Sequence, residues 1–132
     1  LLEPQHKKAL ILGTGGASKA IFTGLKKLGL EAKFVSRTPK KDMLTYDDLT
    51  PGIMEEYKVI VNCTPVGMYP KADEYPNIPY EYITPNHLLY DLLYNPNTTL
   101  FMKKGADKGA VTKNGLEMLL LQAYAAWDIW ER

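Results

Sequence analysis

Residues 10–20, LILGTGGASKA, constrain the fold more than any other part of the chain. An apolar run of strand length ends at Gly13, and a helical pattern of apolar residues begins three positions later. Gly13 can make the tight turn, while Gly15 and Gly16 let a pyrophosphate approach the N-terminus of the helix. Ser18 occupies the position of the third glycine in G-x-G-x-x-G, but it is small enough for close helix–strand packing. The segment therefore predicts a nucleotide-binding turn, and a tight turn without a ligand is the alternative.

The rest of the chain alternates between short apolar runs and amphipathic segments. The predicted strands cover residues 8–13, 32–36, 58–63, 87–94 and 108–113. The predicted helices cover residues 16–29, with Gly29 as a left-handed cap, then 98–106, and finally about 114–130. Residues 45–57 carry polar and turn signals, and the proline-rich residues 69–86 predict an ordered connection with at most one short helix. This alternation predicts an α/β fold, a Rossmann-like doubly wound parallel sheet with helices on both faces.

Ligands of such folds bind where the parallel strands end, so the loops at those ends are the candidate site. These loops cover residues 13–18, 36–41, 63–69, 91–97 and 113–116.

Length and composition predict one domain over residues 1–132 and exclude several classes of protein. The net charge is +1 with scattered lysines, so we expect no nucleic-acid partner. No stretch approaches the ~20 apolar residues of a membrane span. The single cysteine, Cys63, excludes an intramolecular disulfide and indicates a reducing, cytoplasmic compartment. His6 and His87 lie in flanking polar segments without metal-ligand spacing, so we expect no metal site.

Residues 36–41, SRTPKK, follow the second predicted strand and indicate which dinucleotide the turn would bind. An NAD site usually has an acid here, but no acid occurs before Asp42. A guanidinium from Arg37, neighbouring hydroxyls and ammonium groups suit the 2′-phosphate of NADP. The loop therefore predicts NADP, with a solvated basic loop as the alternative.

Five segments follow one another along the chain: GTGGA at 13–17, SRTPKK at 36–41, NCTPVGM at 62–68, YDLLYNP at 90–96 and NGLEMLLLQA at 114–123. In this order they resemble motifs of the C-terminal NADP-binding domain of the shikimate dehydrogenase family. The family pattern has Asn where this chain has Ser36, which leaves open how strictly the chain prefers NADP.

The resemblance implies a role for each matched residue. The residues implied to bind the pyrophosphate are Gly13, Thr14, Gly15, Gly16 and Ala17. The residues implied to bind the 2′-phosphate are Ser36, Arg37, Thr38 and Lys41. Those along the nicotinamide half are Thr64, Val66, Leu92 and Gly115. Tyr94 and Gln122 match the positions that contact shikimate or 3-dehydroshikimate. Gln122 is a lone amide among apolar residues, so it either bonds within the protein or faces a ligand.

Asp91 is expected to order a strand end, and Cys63 to be a buried small apolar residue.

The resemblance also implies NADPH-dependent, reversible reduction of 3-dehydroshikimate to shikimate, a step of chorismate and aromatic amino-acid biosynthesis. In the family, the catalytic Lys and Asp come from an N-terminal substrate domain, whereas only 12 residues precede Gly13 here. We therefore expect no catalytic residue in this chain, no activity of the chain alone, and the missing domain as its partner. Residues 116–130 are apolar on nearly every helical face, which would allow self-association.

Three alternatives stay open at this point. One is a quinate/shikimate dehydrogenase, and another is a methylenetetrahydrofolate dehydrogenase, against which the NGLEMLLLQ segment argues. The third belongs to a different class, a non-catalytic module that senses a nucleotide.

Overall fold

A computed structural model describes residues 7–13, 16–37, 43–64, 75–92 and 99–114. The strands are β1 Lys8–Leu12, β2 Glu31–Val35, β3 Val59–Asn62, β4 Leu88–Asp91 and β5 Val111–Asn114. The helices are α1 Gly16–Lys27, α2 Pro51–Glu56 and α3 Leu100–Asp107, with 3-10 turns at Tyr46–Asp48 and Tyr80–Tyr82. The helix predicted over about 114–130 lies outside the described residues, apart from Asn114, which ends β5.

The five strands form one parallel sheet in the order β2-β1-β3-β4-β5. Leu12 pairs with both Val35 and Asn62, Asn62 pairs with Asp91, and Asp91 pairs with Asn114. The carboxyl ends of all five strands therefore lie in one row, and this row is the edge at which parallel sheets bind ligands.

Both faces of the sheet are covered, which explains why the central strands are apolar at every position up to their ends. On one face, Ala9 and Ile11 of β1 pack with Ile21 and Leu25 of α1. On the other face lies a cluster formed by β1, α2, β3, β4 and α3, with Met54 of α2 at its centre. The predicted α/β fold with helices on both faces is confirmed.

The helix ends follow from local chemistry. Gly29 has a φ of +90°, so the predicted left-handed cap of α1 is confirmed. The Oγ1 atoms of Thr50 and Thr99 accept hydrogen bonds from Ile53 N–H and Met102 N–H in the first turns of α2 and α3, each at 3.3 Å. Among the described residues, no helix has both the length and the apolar character that crossing a membrane requires.

Two features of the connections differ from the sequence-based expectations. Residues 45–57 contain α2 besides a turn, because Thr50 caps a helix that has Pro51 at its first position. His87 was expected in a polar flanking segment, and this was wrong because its side chain is completely buried. The carbonyl of Met54 lies 2.6 Å from its Nε2, and the N–H of Thr84 donates to its Nδ1 at 3.0 Å. These bonds satisfy the ring inside the core.

Gly105 sets how closely α3 packs against the sheet. A Cβ atom at this position would overlap the Cδ2 methyl group of Leu89, whose side chain is fully buried. We expect Gly105→Ala to lower the free energy of unfolding by about 1–3 kcal/mol, as overpacking of a core does. Chemical denaturation followed by far-UV circular dichroism measures the change.

Gly52→Ala is the matched control, because Gly52 is also helical but exposed, with its nearest atom, Thr50 Oγ1, 4.0 Å from the added Cβ. It should leave stability unchanged or raise it by about 0.5–1 kcal/mol through lower chain entropy in the unfolded state. Equal effects of the two variants would contradict the close α3–sheet contact.

Candidate functional site

The order of the strands predicts that the ligand crevice lies between the ends of β1 and β3. From β1 the chain runs through α1 to β2 on one side, and it later returns to β3 on the other side of β1. The connections therefore leave the sheet in opposite directions at this point, and ligands of open parallel sheets bind at such reversals. The loops after β1 and β3 form the two walls.

Gly13 forms the first wall and cannot carry a side chain. Its φ is +105°, and a Cβ atom there would lie 3.3 Å from Thr64 Cγ2 and 3.4 Å from the carbonyl oxygen of Cys63. The N–H of Gly13 donates to the carbonyl of Val35 at 2.9 Å, which ties the turn to β2. The main chain after β1 therefore lies directly against the loop after β3, with only a glycine between them.

The helix that follows this turn begins at Gly16 and has no acidic residue in its first turn. Its N-terminus lies at the carboxyl edge of β1, so its partial positive charge and its N–H groups face the crevice edge. Ser18 is completely buried, which supports its role as the small residue that lets α1 lie close to β1. Thr14 and Gly15 lie outside the described residues, and Ala17 belongs to the first turn of α1.

A chain of hydrogen bonds joins the ends of β3 and β4. Asn62 and Asp91 are fully buried register partners, and Asn62 Nδ2 lies 3.4 Å from both carboxylate oxygens of Asp91. Asn62 Oδ1 accepts from the backbone N–H of Thr64 at 3.0 Å and from its hydroxyl at 2.6 Å. On the other side, the hydroxyl of Thr99 donates to Asp91 Oδ2 at 2.7 Å. The second wall of the crevice is thus tied through β3 and β4 to the cap of α3.

Burial raises the pKa of the Cys63 thiol to about 12, and the nearby carboxylate of Asp91 contributes to the rise. Cys63 is half-buried and packs against the face of the sheet that α1 covers. The thiol is therefore protonated at neutral pH and behaves as a small apolar group. The sequence-based expectation of a buried residue was wrong in one respect, because Cys63 is only half-buried.

Arg37 is exposed directly after β2, at the edge of a pocket of about 410 Å³. The other lining residues are Thr45, Tyr46, Asp47, Tyr75, Pro76 and Asn77. Burial raises the pKa of Tyr46, and the guanidinium of Arg37 opposes that rise, which places the two groups near each other. Tyr75, another lining residue, makes a cation–π contact with Lys104, whose Nζ lies 4.2 Å from the ring centroid.

The structure brings together some of the residues that the sequence selected. Gly13 contacts Thr64, and the N–H of Leu92 donates to the carbonyl of Asn62 at 3.2 Å. Ser36 and Arg37 follow β2, and the chain returns within a few residues because Ser36 N–H bonds to the carbonyl of Leu44 at 2.9 Å. Outside the described residues lie Thr38, Lys41, Val66, Tyr94, Gly115 and Gln122.

The hydrogen-bonding role of Asn62 and the residues that line the pocket beside Arg37 were not predicted from the sequence. A polar residue at the end of an otherwise apolar strand, as in VIVN and LLYD, was a usable signal for Asn62 and Asp91. The pocket offered no such signal, since its walls come from segments about 30 residues apart in the chain. In the part of the chain that the structure describes, no three His, Cys, Asp or Glu side chains are grouped to hold a metal ion.

Comparison with known proteins confirms the resemblance stated from the motifs. No family model matches the chain. The shikimate dehydrogenase (NADP(+)) of Desulforamulus reducens is 32% identical over 96% of this chain and 50% of its own length. The crystal structure of shikimate dehydrogenase 1 from Peptoclostridium difficile is 40% identical, with a TM-score of 0.71 over 96% of this chain and 48% of that one.

Shikimate 5-dehydrogenase from Thermus thermophilus, solved in complex with NADP(H) and shikimate, is also similar. It is 30% identical, with a TM-score of 0.72 over 96% of this chain and 50% of that one. The chain therefore spans about half the length of the curated relatives and solved structures that it matches.

The raised pKa of Cys63 predicts a slow reaction with alkylating reagents. A rise from 9.0 to about 12 lowers the thiolate fraction at pH 8 about a thousandfold, and the thiolate is the reactive form. Iodoacetamide should therefore modify the native chain far more slowly than the chain in denaturant. Mass spectrometry over time gives both rates for this single cysteine.

Asp91→Asn should increase the native rate, because the substitution removes the negative charge that helps to raise the pKa. Asp107→Asn removes the same charge from an exposed position at the end of α3 and should leave the rate unchanged. A native rate equal to the rate in denaturant would contradict the burial of the thiol.

Proposed function

We propose that this chain, homologous along nearly its whole length to shikimate dehydrogenases, is the NADP-binding half of such an enzyme. Its activity would be the reversible reduction of 3-dehydroshikimate to shikimate. The observation that carries the proposal is the contact between Gly13 and Thr64 at the reversal of strand order. That contact brings two backbone segments close together beside the N-terminus of α1, an arrangement that suits the binding of a dinucleotide.

The described residues fit a dinucleotide. Gly13 lets the turn after β1 pass close to Thr64, and the first N–H groups of α1, which begins at Gly16, suit a phosphate. We assign the pyrophosphate to the turn of residues 13–17. When bound, NADPH supplies the hydride for the reduction of the substrate carbonyl.

Arg37 and the pocket beside it suit the adenosine end. We assign the 2′-phosphate to Arg37, with Ser36, Thr38 and Lys41 as further contacts, because a guanidinium forms strong paired hydrogen bonds with phosphate. The adenine is attached to the same ribose and therefore lies close to that phosphate. The pocket of about 410 Å³ offers Tyr46 and Tyr75 as walls for a flat aromatic ring.

The nicotinamide end belongs on the other side of the crevice in this proposal. Thr64 and Leu92 lie at the ends of β3 and β4, and we assign the nicotinamide half to these two together with Val66 and Gly115. Tyr94 and Gln122 keep their proposed contact with shikimate or 3-dehydroshikimate.

We assign the proton that the reduced carbonyl requires to a group outside the described residues. Asp91, the carboxylate at the strand edge, is fully buried and accepts hydrogen bonds from Thr99 and Asn62, so it holds the structure together. The family resemblance implies a Lys and an Asp of an N-terminal substrate domain as the acid–base pair. We therefore propose that the described residues hold the cofactor and that the acid–base pair comes from another part of the enzyme.

Removal of the guanidinium tests the cofactor assignment. In calorimetric titrations, Arg37→Ala should weaken NADP binding about 10- to 100-fold, since a hydrogen bond to a charged group contributes roughly 1.5–3 kcal/mol. Binding of NAD, which lacks the 2′-phosphate, should change by less than about twofold, within the ~0.5 kcal/mol typical of neutral surface changes.

Lys103→Ala is the matched control, because Lys103 is an exposed cation on α3 and its removal changes the net charge equally. It should leave both affinities unchanged. Equal affinity of the unmodified chain for NADP and NAD would overturn the assignment of Arg37, and failure to bind either would overturn the proposed function.

A further inference from the structure

We infer that Lys104 of α3 is a positioning residue, which holds Tyr75 in place as a wall of the pocket beside Arg37. This inference rests on the proposed function, because the adenine of the dinucleotide is assigned to that pocket. Lys104 itself does not line the pocket, and none of the five sequence motifs includes it.

The ammonium group of Lys104 lies over two aromatic rings. Its Nζ is 4.2 Å from the ring centroid of Tyr75 and 5.5 Å from that of Tyr80. Both distances are within the range in which the electron-rich face of a ring attracts a cation. The two rings also meet each other edge to face, with their centroids 5.8 Å apart and an interplanar angle of 74°. Lys104 therefore holds both members of one aromatic pair.

Tyr80 is the anchored member of this pair. Its hydroxyl donates to the carbonyl of Pro76 at 2.7 Å, and its ring meets that of Phe101 edge to face with centroids 6.5 Å apart. Phe101 belongs to α3 and is fully buried in the core. Burial raises the pKa of the Tyr80 phenol, so the hydroxyl keeps the proton that this bond needs. Tyr80 thus connects the segment that lines the pocket to the buried side of α3.

Tyr75 is the exposed member, and its position depends on the other two residues. Its side chain is 42% exposed, so burial alone holds it weakly. Among the described residues, its ring contacts Tyr80 and Lys104. A side chain that is ordered only when a ligand binds lowers the affinity by the cost of its ordering. Because Lys104 restrains Tyr75 beforehand, that cost is reduced.

The position of Tyr75 matters because it shapes the pocket. Tyr75, Pro76 and Asn77 are three consecutive lining residues, while Tyr46 and Arg37 come from segments about 30 residues earlier in the chain. A base stacks favourably on an aromatic ring, and it gains most from a ring that is already in place. Lys104 therefore acts on the adenine through Tyr75, without contacting the ligand.

Lys104→Met tests this role because it keeps a long unbranched side chain and removes the charge. In calorimetric titrations, NADP and adenosine 2′,5′-bisphosphate should both bind about two- to fivefold more weakly, the factor that corresponds to one exposed cation–π contact. Lys104→Arg keeps a cation over the ring and should bind both ligands as the unmodified chain does. Lys103→Met removes the same charge from the neighbouring exposed position and should also leave both affinities unchanged.

A double-mutant cycle separates positioning from simple attraction between Lys104 and the phosphates. Tyr75→Leu removes the ring, so adding Lys104→Met to it should cause no further loss of affinity. If the lysine acted only through its charge on the phosphates, Lys104→Met would weaken binding equally with and without the Tyr75 ring. That result would overturn the positioning role.

A measurement without ligand tests the contact itself. The ring current of Tyr75 should displace the NMR resonances of the Lys104 ε-methylene protons from those of Lys103. Tyr75→Leu should remove most of this displacement, and Lys103→Met should not affect it.

The outcomes separate this inference from the proposed function. If the unmodified chain binds neither NADP nor adenosine 2′,5′-bisphosphate, the proposed function is wrong, and the role of Lys104 in binding is wrong with it. If the chain binds both ligands, unchanged affinity of Lys104→Met shows that only the role of Lys104 is wrong. Failure of Lys104→Arg to bind normally, or ε-methylene resonances that do not respond to Tyr75→Leu, would also overturn this role alone.

Discussion

Asn62 and Asp91 lie side by side at the carboxyl edge of the sheet, and neither side chain is exposed to solvent. Burial of an amide and a carboxylate is costly unless their hydrogen bonds are made. Here they are made, and each bond joins a different element: Thr64 in the loop after β3, and Thr99 at the cap of α3. In the described residues, every buried side-chain nitrogen and oxygen atom has a hydrogen-bond partner. The site depends on this network because it holds the loop against which the glycine turn packs.

The other requirement of the site is the absence of a side chain at Gly13. The positive φ and the proximity of Thr64 act together there, so the turn after β1 and the loop after β3 approach each other without a clash. The parallel register then places the N-terminus of α1 and Arg37 along the same edge. In the proposed function, a dinucleotide that extends across this edge would meet a helix N-terminus near its middle and a guanidinium near its adenosine end.

Most of the fold could be predicted from the sequence because its strands are buried on both faces. Such strands appear as continuous apolar runs, for example VIVN and KALIL, and only their ends differ by one to three residues from the prediction. The prediction for α2 failed because a six-residue helix shows too few apolar positions for a periodicity to appear. His87 was misjudged because its burial depends on Met54 and Thr84, and Met54 is 33 residues away in the chain.

The sequence by itself determined the kind of fold and the ligand class that the motifs indicate, since glycines, apolar runs and the basic loop act through local chemistry. It also selected Gly13, Thr64 and Arg37 as site residues. Only the tertiary structure decided how these residues combine. The direction of the Thr64 hydroxyl depends on Asn62 and Asp91, which come from different strands, and the pocket beside Arg37 is completed by Tyr75 from a distant segment. These contacts form only when the strands pair in the sheet, and the order of residues along the chain does not show which strands pair.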